Sequence, residues 1–492
     1  MKIVIFFLIF LNLFTYSFSQ ENIDFLYLQI SPFSLEKQCA FYNLYPNYQK
    51  SFNTISFLLN SKDPVLINCI SKMMVSLKEF AFMEFSNKEI FAVDQFFSFL
   101  NNRNLKGNKI SSFKDILDLK DNEIDLSLSL ILSEKKELFR NDLIIKKYEI
   151  FLDLLTAQVI AYLKAIPSYT KENVVECINR VLFQDQNFKY PPKKDMYSDK
   201  YTFLSSVIDG KFGVCLGTSV LFLSISQRLN LPLEIITPPG HIYLRLRKDN
   251  GDTLNIETTA FGKHIDTENY IDLDKSDLKE RSLKEVIGLT FMNRGTFFLH
   301  KGEYTKALDS YKEAFVYFQE PLLKELLGFS LLFCQKEEEG LLLLNELKEE
   351  RKASSLSLDY LQNNVSLEGI KSIFFSPGNS KKEIEEYAFK LKEIQSSNPF
   401  FKEGYNRLAS CFINLGYYKE ALKELEKLYL IDKDNICLLR HLSELSLMQM
   451  DHRKAEKYYN EAKEIIKNEK KDISCLKSLK LLLQKSIYAL KD

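Results

Sequence analysis

A repeated pattern of small and apolar residues constrains the C-terminal two fifths of the chain more than any other feature. The stretch 298–307 is followed by Tyr311 and Ala314, and a similar spacing returns between residues 412 and 428. Three positions recur 34 residues further on, as the pairs Ala421 and Ala455, Leu425 and Tyr459, and Leu428 and Ala462. Two unrelated amphipathic helices would share part of this pattern, but not the common register. Small residues allow paired helices to approach closely, so we expect stacked helical pairs.

This period is similar to that of the tetratricopeptide repeat. Pro399 lies where that repeat usually ends a helix, whereas the copies between Pro321 and Pro399 are degenerate. We therefore assign residues 281–492 to a C-terminal all-α array of the tetratricopeptide type. The resemblance implies a concave groove that binds a protein or a peptide.

The first nineteen residues have the layout of a signal peptide. Lys2 precedes the apolar stretch 3–14, and small residues follow at Ser17 and Ser19. The apolar stretch is shorter than the roughly 18 to 20 residues that span a bilayer. We expect cleavage after Ser19, export to the periplasm or beyond the cell, and no stable membrane insertion of the mature protein.

The charge balance and the cysteine pattern give no support for a nucleic-acid-binding protein or for a metal-binding protein. Lysine and arginine together number 66, equal to aspartate and glutamate, so no net field attracts nucleic acid. The eight cysteines include no C-x-x-C pair and no nearby histidine cluster, which gives no support for a metal site. We expect no cofactor, and we expect most of these thiols to be buried small hydrophobes. Export would permit one or two disulfides.

Residues 20–167 follow a helical pattern, with apolar residues at three- and four-residue spacing, as in the stretch 141–164. No chemical motif occurs there. The pattern predicts an N-terminal helical region that forms either a helical bundle or a cover for the next domain.

Residues 168–280 mix helix and strand patterns. Gly210 and Gly213 interrupt the sequence, and the apolar run after them predicts a helix that begins at or just before Cys215. A strand at 233–237 is then predicted, followed by a stiff turn at 238–240. The alternation in 241–247 and 253–259 predicts a hairpin.

The hairpin register decides which side chains meet. A three-residue loop at 249–251 places apolar residues of the two strands opposite one another, Leu244 with Ile256 and Leu246 with Leu254. The same register places Tyr243 opposite Glu257, and His241 diagonal to Glu257 on one side of the sheet. A two-residue loop would instead move His241 to the opposite face. The hydrophobic pattern therefore favours contact between His241 and Glu257.

Three side chains in this region could form a catalytic set. A thiol at a helix N-terminus is favoured as the thiolate, which fits Cys215. A histidine on a neighbouring strand can move the proton, and a carboxylate beside it can fix its tautomer, as His241 and Glu257 could do. Considered alone, Cys215 is more often a buried small hydrophobe and His241 is an ordinary residue. The other histidines have no chemical partner nearby in sequence: His264, His300, His441 and His452.

The segments that carry these residues resemble the bacterial transglutaminase-like family. The resemblance covers roughly residues 171–262 and rests on four stretches: 213–215, 227–233, 239–241 and 255–257. It implies an α+β papain-like core in which the cysteine helix packs on an antiparallel sheet. The family usually has Asp at the acid position, and many bacterial members lack the Cys. Here Glu257, one methylene longer, takes the acid position, and Cys215 is present.

The predicted function is that of an exported thiol enzyme that acts on amide bonds of a protein or peptide through Cys215, His241 and Glu257. Hydrolysis is favoured over cross-linking because no amine site and no calcium-binding loop are visible. The alternative is a catalytically idle transglutaminase-like fold that serves, together with its helical repeats, as a protein-binding scaffold.

Overall fold

A computed structural model describes residues 20–80, 83–192, 201–266, 278–375, 377–378, 380–469 and 476–488. The predicted signal peptide at 1–19 and Cys475 lie outside the described residues. The chain divides into two compact units. The first comprises Met1–Ile116, Asp125–Lys189 and Leu221–Pro232, and the second comprises Leu117–Ile124, Tyr190–Val220 and Leu233–Asp492.

The first unit is helical, so the predicted N-terminal helical region is confirmed. Side-chain caps begin several of its helices: Ser34, Asp63 and Ser86 each accept a hydrogen bond from a backbone N–H of the first turn. The helices are α1 (Gln20–Leu28), α2 (Leu35–Leu44), α3 (Gln49–Leu59), α4 (Pro64–Val75), α5 (Asn87–Phe96), α6 (Leu126–Glu134), α7 (Leu143–Leu163) and α8 (Lys171–Asn179). A π-helical segment, Arg180–Asp185, follows α8.

The core of the first unit contains a network of charged side chains around Arg228. The guanidinium, which is fully buried, donates to Asp153 at 2.7 Å, to Glu149 at 3.0 Å and to the Ser127 hydroxyl at 2.9 Å. Burial raises the pKa of Glu149 to about 7, although the charge of Arg228 opposes the shift. Removing one partner of such a network costs about 3 to 5 kcal/mol, because a buried charge loses its counter-charge.

The first α-helix of the second unit is α9 (Leu204–Gly210). The unit then includes the first six residues of α10 (Cys215–Arg228), whose later residues belong to the first unit. Four strands form one antiparallel sheet in the order β3-β2-β1-β4. They are β1 (Glu234–Thr237), β2 (Tyr243–Arg247), β3 (Thr253–Ile256) and β4 (Lys279–Glu280).

The hairpin of β2 and β3 has the predicted register. Leu244 pairs with Ile256 and Leu246 with Leu254, so the three-residue loop is confirmed. Both predicted strands are nevertheless too long. Strand β3 ends before Glu257 because this side chain caps a 3-10 turn by accepting the N–H of Thr259. His241 precedes β2 because its own N–H closes a turn.

A helical array completes the second unit and confirms the predicted all-α C-terminal part. Its helices are α11 (Leu283–His300), α12 (Tyr304–Tyr317), α13 (Pro321–Phe333), α14 (Glu337–Glu349), α15 (Ser355–Leu361), α16 (Leu367–Phe374), α17 (Lys381–Ser397), α18 (Lys402–Asn414), α19 (Tyr418–Ile431), α20 (Ile436–Met448), α21 (His452–Glu469) and α22 (Lys477–Tyr488). A β-carbon on Gly295 would lie 2.6 Å from the Tyr311 ring, so a small residue and an aromatic fit together between α11 and α12.

In the parts of the chain that the structure describes, no helix is both long and apolar enough to cross a membrane.

Gly217 lies at a close approach within the second unit. A β-carbon there would lie 2.2 Å from the carbonyl oxygen of Tyr201 and 2.9 Å from a methyl group of Val207. We therefore expect Gly217→Ala to lower the free energy of unfolding by about 1 to 3 kcal/mol, as overpacking does. Gly210→Ala is the matched control, because that β-carbon would meet nothing within 4 Å. Urea denaturation checks both variants, and equal stability for the two would contradict the close approach.

Candidate active site

Cys215 is the first residue of α10, as predicted, and its side chain is partly exposed. The first helical bond runs from the N–H of Thr218 to the carbonyl of Val214 at 2.9 Å, and the N–H of Val214 bonds to the carbonyl of Tyr201 at 2.9 Å. Glycine at position 213 allows the chain to begin α10 in this way, since a β-carbon there would lie 2.9 Å from a methyl group of Thr218. The thiol therefore lies at the positive end of the helix dipole.

A tight turn positions His241. Its N–H donates to the carbonyl of Pro238 at 3.1 Å, and Gly240 has φ +73°. This is the pattern of a type II turn, with Pro239 second and a residue of positive φ third, where glycine is favoured. The ring is held where the chain enters β2, and its Nε2 lies 2.7 Å from Oε2 of Glu257.

Both carboxylate oxygens of Glu257 have partners. Oε2 contacts His241, and Oε1 accepts from the Thr259 N–H at 3.2 Å and from the Thr259 hydroxyl at 2.6 Å. The side chain of Glu257 is 5% exposed and that of His241 is 28% exposed. The acid is therefore buried behind the histidine, which keeps one part of its ring accessible.

Hydroxyl groups connect the acid-bearing turn to the cysteine helix. The Thr258 hydroxyl accepts from Thr218 at 3.0 Å and lies 3.0 Å from the Ser219 hydroxyl. The sequence reasoning missed these three residues and Thr259. For Thr259 the local sequence gave no clear signal, because its partner Glu257 is not among the residue types that usually cap a helix N-terminus. For Thr258 no local signal existed, since its partners are about forty residues away.

The three candidate residues come together around the imidazole. Burial opposes protonation of His241, but hydrogen bonds to the side chains of Cys215 and Glu257 raise its pKa to about 10. At neutral pH the ring is therefore an imidazolium that lies between the thiol and the carboxylate. Such a cation stabilises an adjacent thiolate and can later give its proton to a leaving group. The catalytic role of the three residues stays a prediction.

The other described cysteines have different surroundings. Burial raises the pKa of the Cys39 thiol to about 12 and raises the pKa values of Cys69, Cys177 and Cys411. Cys437 is exposed, and all seven described cysteines are free thiols. Over the described ranges, no group of three or more His, Cys, Asp or Glu side chains could hold a metal ion.

Comparison with protein families agrees with this geometry. Residues 146–289, which include the cysteine helix and the hairpin, match the model of the transglutaminase-like superfamily. The chain contains a transglutaminase-like domain. Residues 403–435 match a tetratricopeptide repeat model, so the transglutaminase-like domain is followed by a repeat of the predicted class. The predicted limits of the individual domains stay a prediction.

Curated relatives of the chain are similar over short stretches. Mouse F-box only protein 21 is 31% identical over 98 residues, which cover 19% of this chain and 16% of the relative. A UPF0162 protein of Xylella fastidiosa (strain Temecula1) is 30% identical over 112 residues, covering 23% of this chain and 36% of the relative. The chain thus matches well under half the length of these relatives.

The solved TPR domain of P58(IPK) matches 93% of this chain and 92% of its own length, with 12% identity and a TM-score of 0.20. The TPR2AB domain of yeast Sti1, solved as a complex with pHSP90, matches 41% of this chain and 98% of its own length, with 13% identity and a TM-score of 0.20.

We predict that His241 keeps its ring proton up to about pH 10. Its folded pKa is higher than its ordinary value of 6.5, so its ionisation stabilises the fold fully below pH 6.5, and this stabilisation is lost as the pH rises through about 10. Glu257→Gln should lower the pKa of His241, because the ring loses an anionic partner. NMR titration of ring-labelled histidine measures both values.

Asp266→Asn is the matched control, because it removes a carboxylate 3.0 Å from the ring of another histidine, His264. It should leave His241 unchanged. A wild-type His241 that titrates near 6.5 would contradict the described geometry.

Proposed function

We propose that the protein is a thiol enzyme of the acyl-transfer class, with Cys215 as nucleophile, His241 as proton carrier and Glu257 as the acid that orients the histidine. The observation that carries the proposal is the contact of one imidazole with both other side chains. The match of residues 146–289 to the transglutaminase-like superfamily supports it.

The proposed reaction begins with a protonated His241 ring beside the Cys215 sulfur. The Cys215 sulfur attacks the amide carbonyl carbon, a C–S bond forms, and backbone N–H groups near the start of α10 stabilise the oxyanion. His241 gives its proton to the leaving amine as the C–N bond breaks. Water then attacks the thioester carbonyl carbon, the neutral imidazole takes a proton from that water, and the C–S bond breaks, so that the carboxylic acid leaves and the Cys215 sulfur is free again. The proton taken from water restores the protonated His241 ring with which the cycle began.

Hydrolysis is the favoured outcome, and the substrate class is a protein or peptide. No feature of the sequence indicates a site for an acyl-accepting amine. Water at a partly exposed thiol is available at about 55 M, whereas an amine acceptor needs a site to compete with it.

The helical array supplies a second candidate function, which is protein binding. Tetratricopeptide repeats in general bind proteins, and residues 403–435 match this repeat. The array would deliver a polypeptide to the thiol site, or would act alone if that site is idle. Reactivity of Cys215 separates these two possibilities.

We predict selective alkylation of Cys215 by iodoacetamide at pH 7. The Cys215 sulfur lies at a helix N-terminus beside the His241 ring, so Cys215 should react about 10-fold or more faster than Cys437, which is exposed and serves as the internal control. His241→Ala should remove this difference. Peptide mapping by mass spectrometry measures each rate. Equal, slow labelling of Cys215 and Cys437 in the wild type would leave only the scaffold function.

Export is part of the proposal and is based on the composition of residues 1–19. Cleavage after Ser19 predicts a mature chain that begins at Gln20 when the protein is expressed in a cell with a secretory pathway. Intact-mass measurement of the purified protein checks this. Changing Leu8 and Leu11 to lysine should block processing, because charges disrupt the apolar core of the signal. Retention of Met1 on the wild-type chain in the exported fraction would contradict the proposal.

A further inference from the structure

A cluster of buried hydroxyl groups lies between the helix of Cys215 and the turn that carries Glu257. Thr218 and Thr258 are each 2% exposed and Ser219 is fully buried. The Thr258 hydroxyl lies 3.0 Å from the hydroxyls of both Thr218 and Ser219. One buried side chain of the acid-bearing turn is thus bound to two consecutive residues of the helix.

The helix partners of Thr258 belong to the turn of α10 that follows the thiol. Thr218 and Ser219 come three and four residues after Cys215, which is about one helical turn. The Thr218 hydroxyl is also 3.0 Å from the carbonyl oxygen of Val214, at the helix entry. Any shift of Thr258 would therefore be transmitted to the backbone beside Cys215.

The neighbouring Thr259 acts on the carboxylate directly. Its N–H and its hydroxyl both donate to Oε1 of Glu257, while Oε2 contacts the His241 ring. Glutamate has one more rotatable bond than aspartate, so its carboxylate needs additional contacts to stay in one orientation. The two donors of Thr259 supply such contacts on the side away from the histidine.

We propose that Thr258 and Thr259 are positioning residues that fix the Glu257 carboxylate relative to the helix of Cys215, and through it the orientation of His241. The inference rests on the proposed function. Thr258 anchors the turn to the helix, and Thr259 fixes the carboxylate within the turn. Neither threonine contacts the reacting atoms, so each acts through Glu257.

The test replaces each hydroxyl by a methyl group of similar size, in Thr258→Val and Thr259→Val. The measured quantities are the rate of Cys215 alkylation by iodoacetamide from pH 5 to 10 and the NMR titration of His241. Loss of a residue that orients a metal ligand typically costs about 10- to 100-fold, and the lower end of that range is the guide for a residue that orients a catalytic acid. We expect an alkylation rate at pH 7 about 10-fold lower and a His241 titration displaced toward 6.5. Thr258→Ser and Thr259→Ser keep the hydroxyl and should restore the rate to within about 2-fold.

Thr290→Val is the matched structural control. Thr290 is also buried in the second unit, and its hydroxyl donates to the carbonyl of Ile287 at 2.7 Å in α11, outside the candidate site. Thr290→Val should alter the thermal unfolding midpoint without changing the pH profile of Cys215 alkylation or the titration of His241. Should Thr258→Val fail to fold, Thr259→Val and Ser219→Ala carry the test, because the first removes a hydroxyl donor to Glu257 and the second removes a hydroxyl contact of Thr258.

Three results would overturn the inference, and they are distinguishable. If His241→Ala slows Cys215 alkylation while folded valine variants keep the wild-type pH profile, the positioning roles are wrong and the proposed function stands. If His241→Ala leaves Cys215 alkylation unchanged, the proposed function fails and the inference fails with it. A lower unfolding midpoint of the valine variants with an unchanged His241 titration would show a structural role only, which also contradicts the inference.

Discussion

The candidate site depends on one buried carboxylate. Glu257 is held on both oxygens, by His241 on one side and by Thr259 on the other, in a side chain that is 5% exposed. An ionised group at this depth is stable only when hydrogen bonds replace its lost hydration. His241 and Thr259 supply these bonds to Glu257. The contact with His241 therefore both stabilises the buried carboxylate and orients the imidazole. Its stability and its proposed function therefore have one physical origin.

The buried charges of the first unit are arranged in a different way. Arg228 has carboxylate and hydroxyl partners, and its side chain is fully buried. No thiol is among the partners that the structure describes for Arg228, and the Arg228 and Asp153 side chains are fully buried. A buried network of this kind specifies packing, because any other arrangement would leave a charge without a partner. Strong ionic contacts alone thus do not mark a functional site. The partly exposed imidazole at Cys215 differs because solvent and substrate can reach it.

Local patterns of the sequence predicted much of this fold. The alternation of the hairpin and its three-residue loop determined the register that pairs Leu244 with Ile256, because a shift by one residue would reverse both apolar faces. The glycines before Cys215 indicated where its helix begins. The 34-residue period predicted an all-α array, since each helical pair must bury its apolar face on the next. Each of these signals comes from residues that are at most about 34 positions apart in the sequence.

Features that depend on distant contacts were not predicted. Strand β3 was expected to include Glu257, but this side chain caps a turn instead, a local competition that alternation does not reveal. The hydroxyl contact between Thr218 and Thr258 joins residues about forty apart, and no periodicity identifies such a pair. The burial of Arg228 among carboxylates was not predicted either, since its acidic partners lie about eighty residues earlier.

The central claim is that Cys215 is a nucleophile activated by His241. The most direct measurement is to mix the whole protein with p-nitrophenyl acetate and follow p-nitrophenol release together with the intact mass. The account predicts a burst of about one equivalent and an acetyl thioester on Cys215, both absent in Cys215→Ala and strongly slowed in His241→Ala. Release without a burst, or an acetyl group on Cys437 in place of Cys215, would contradict it.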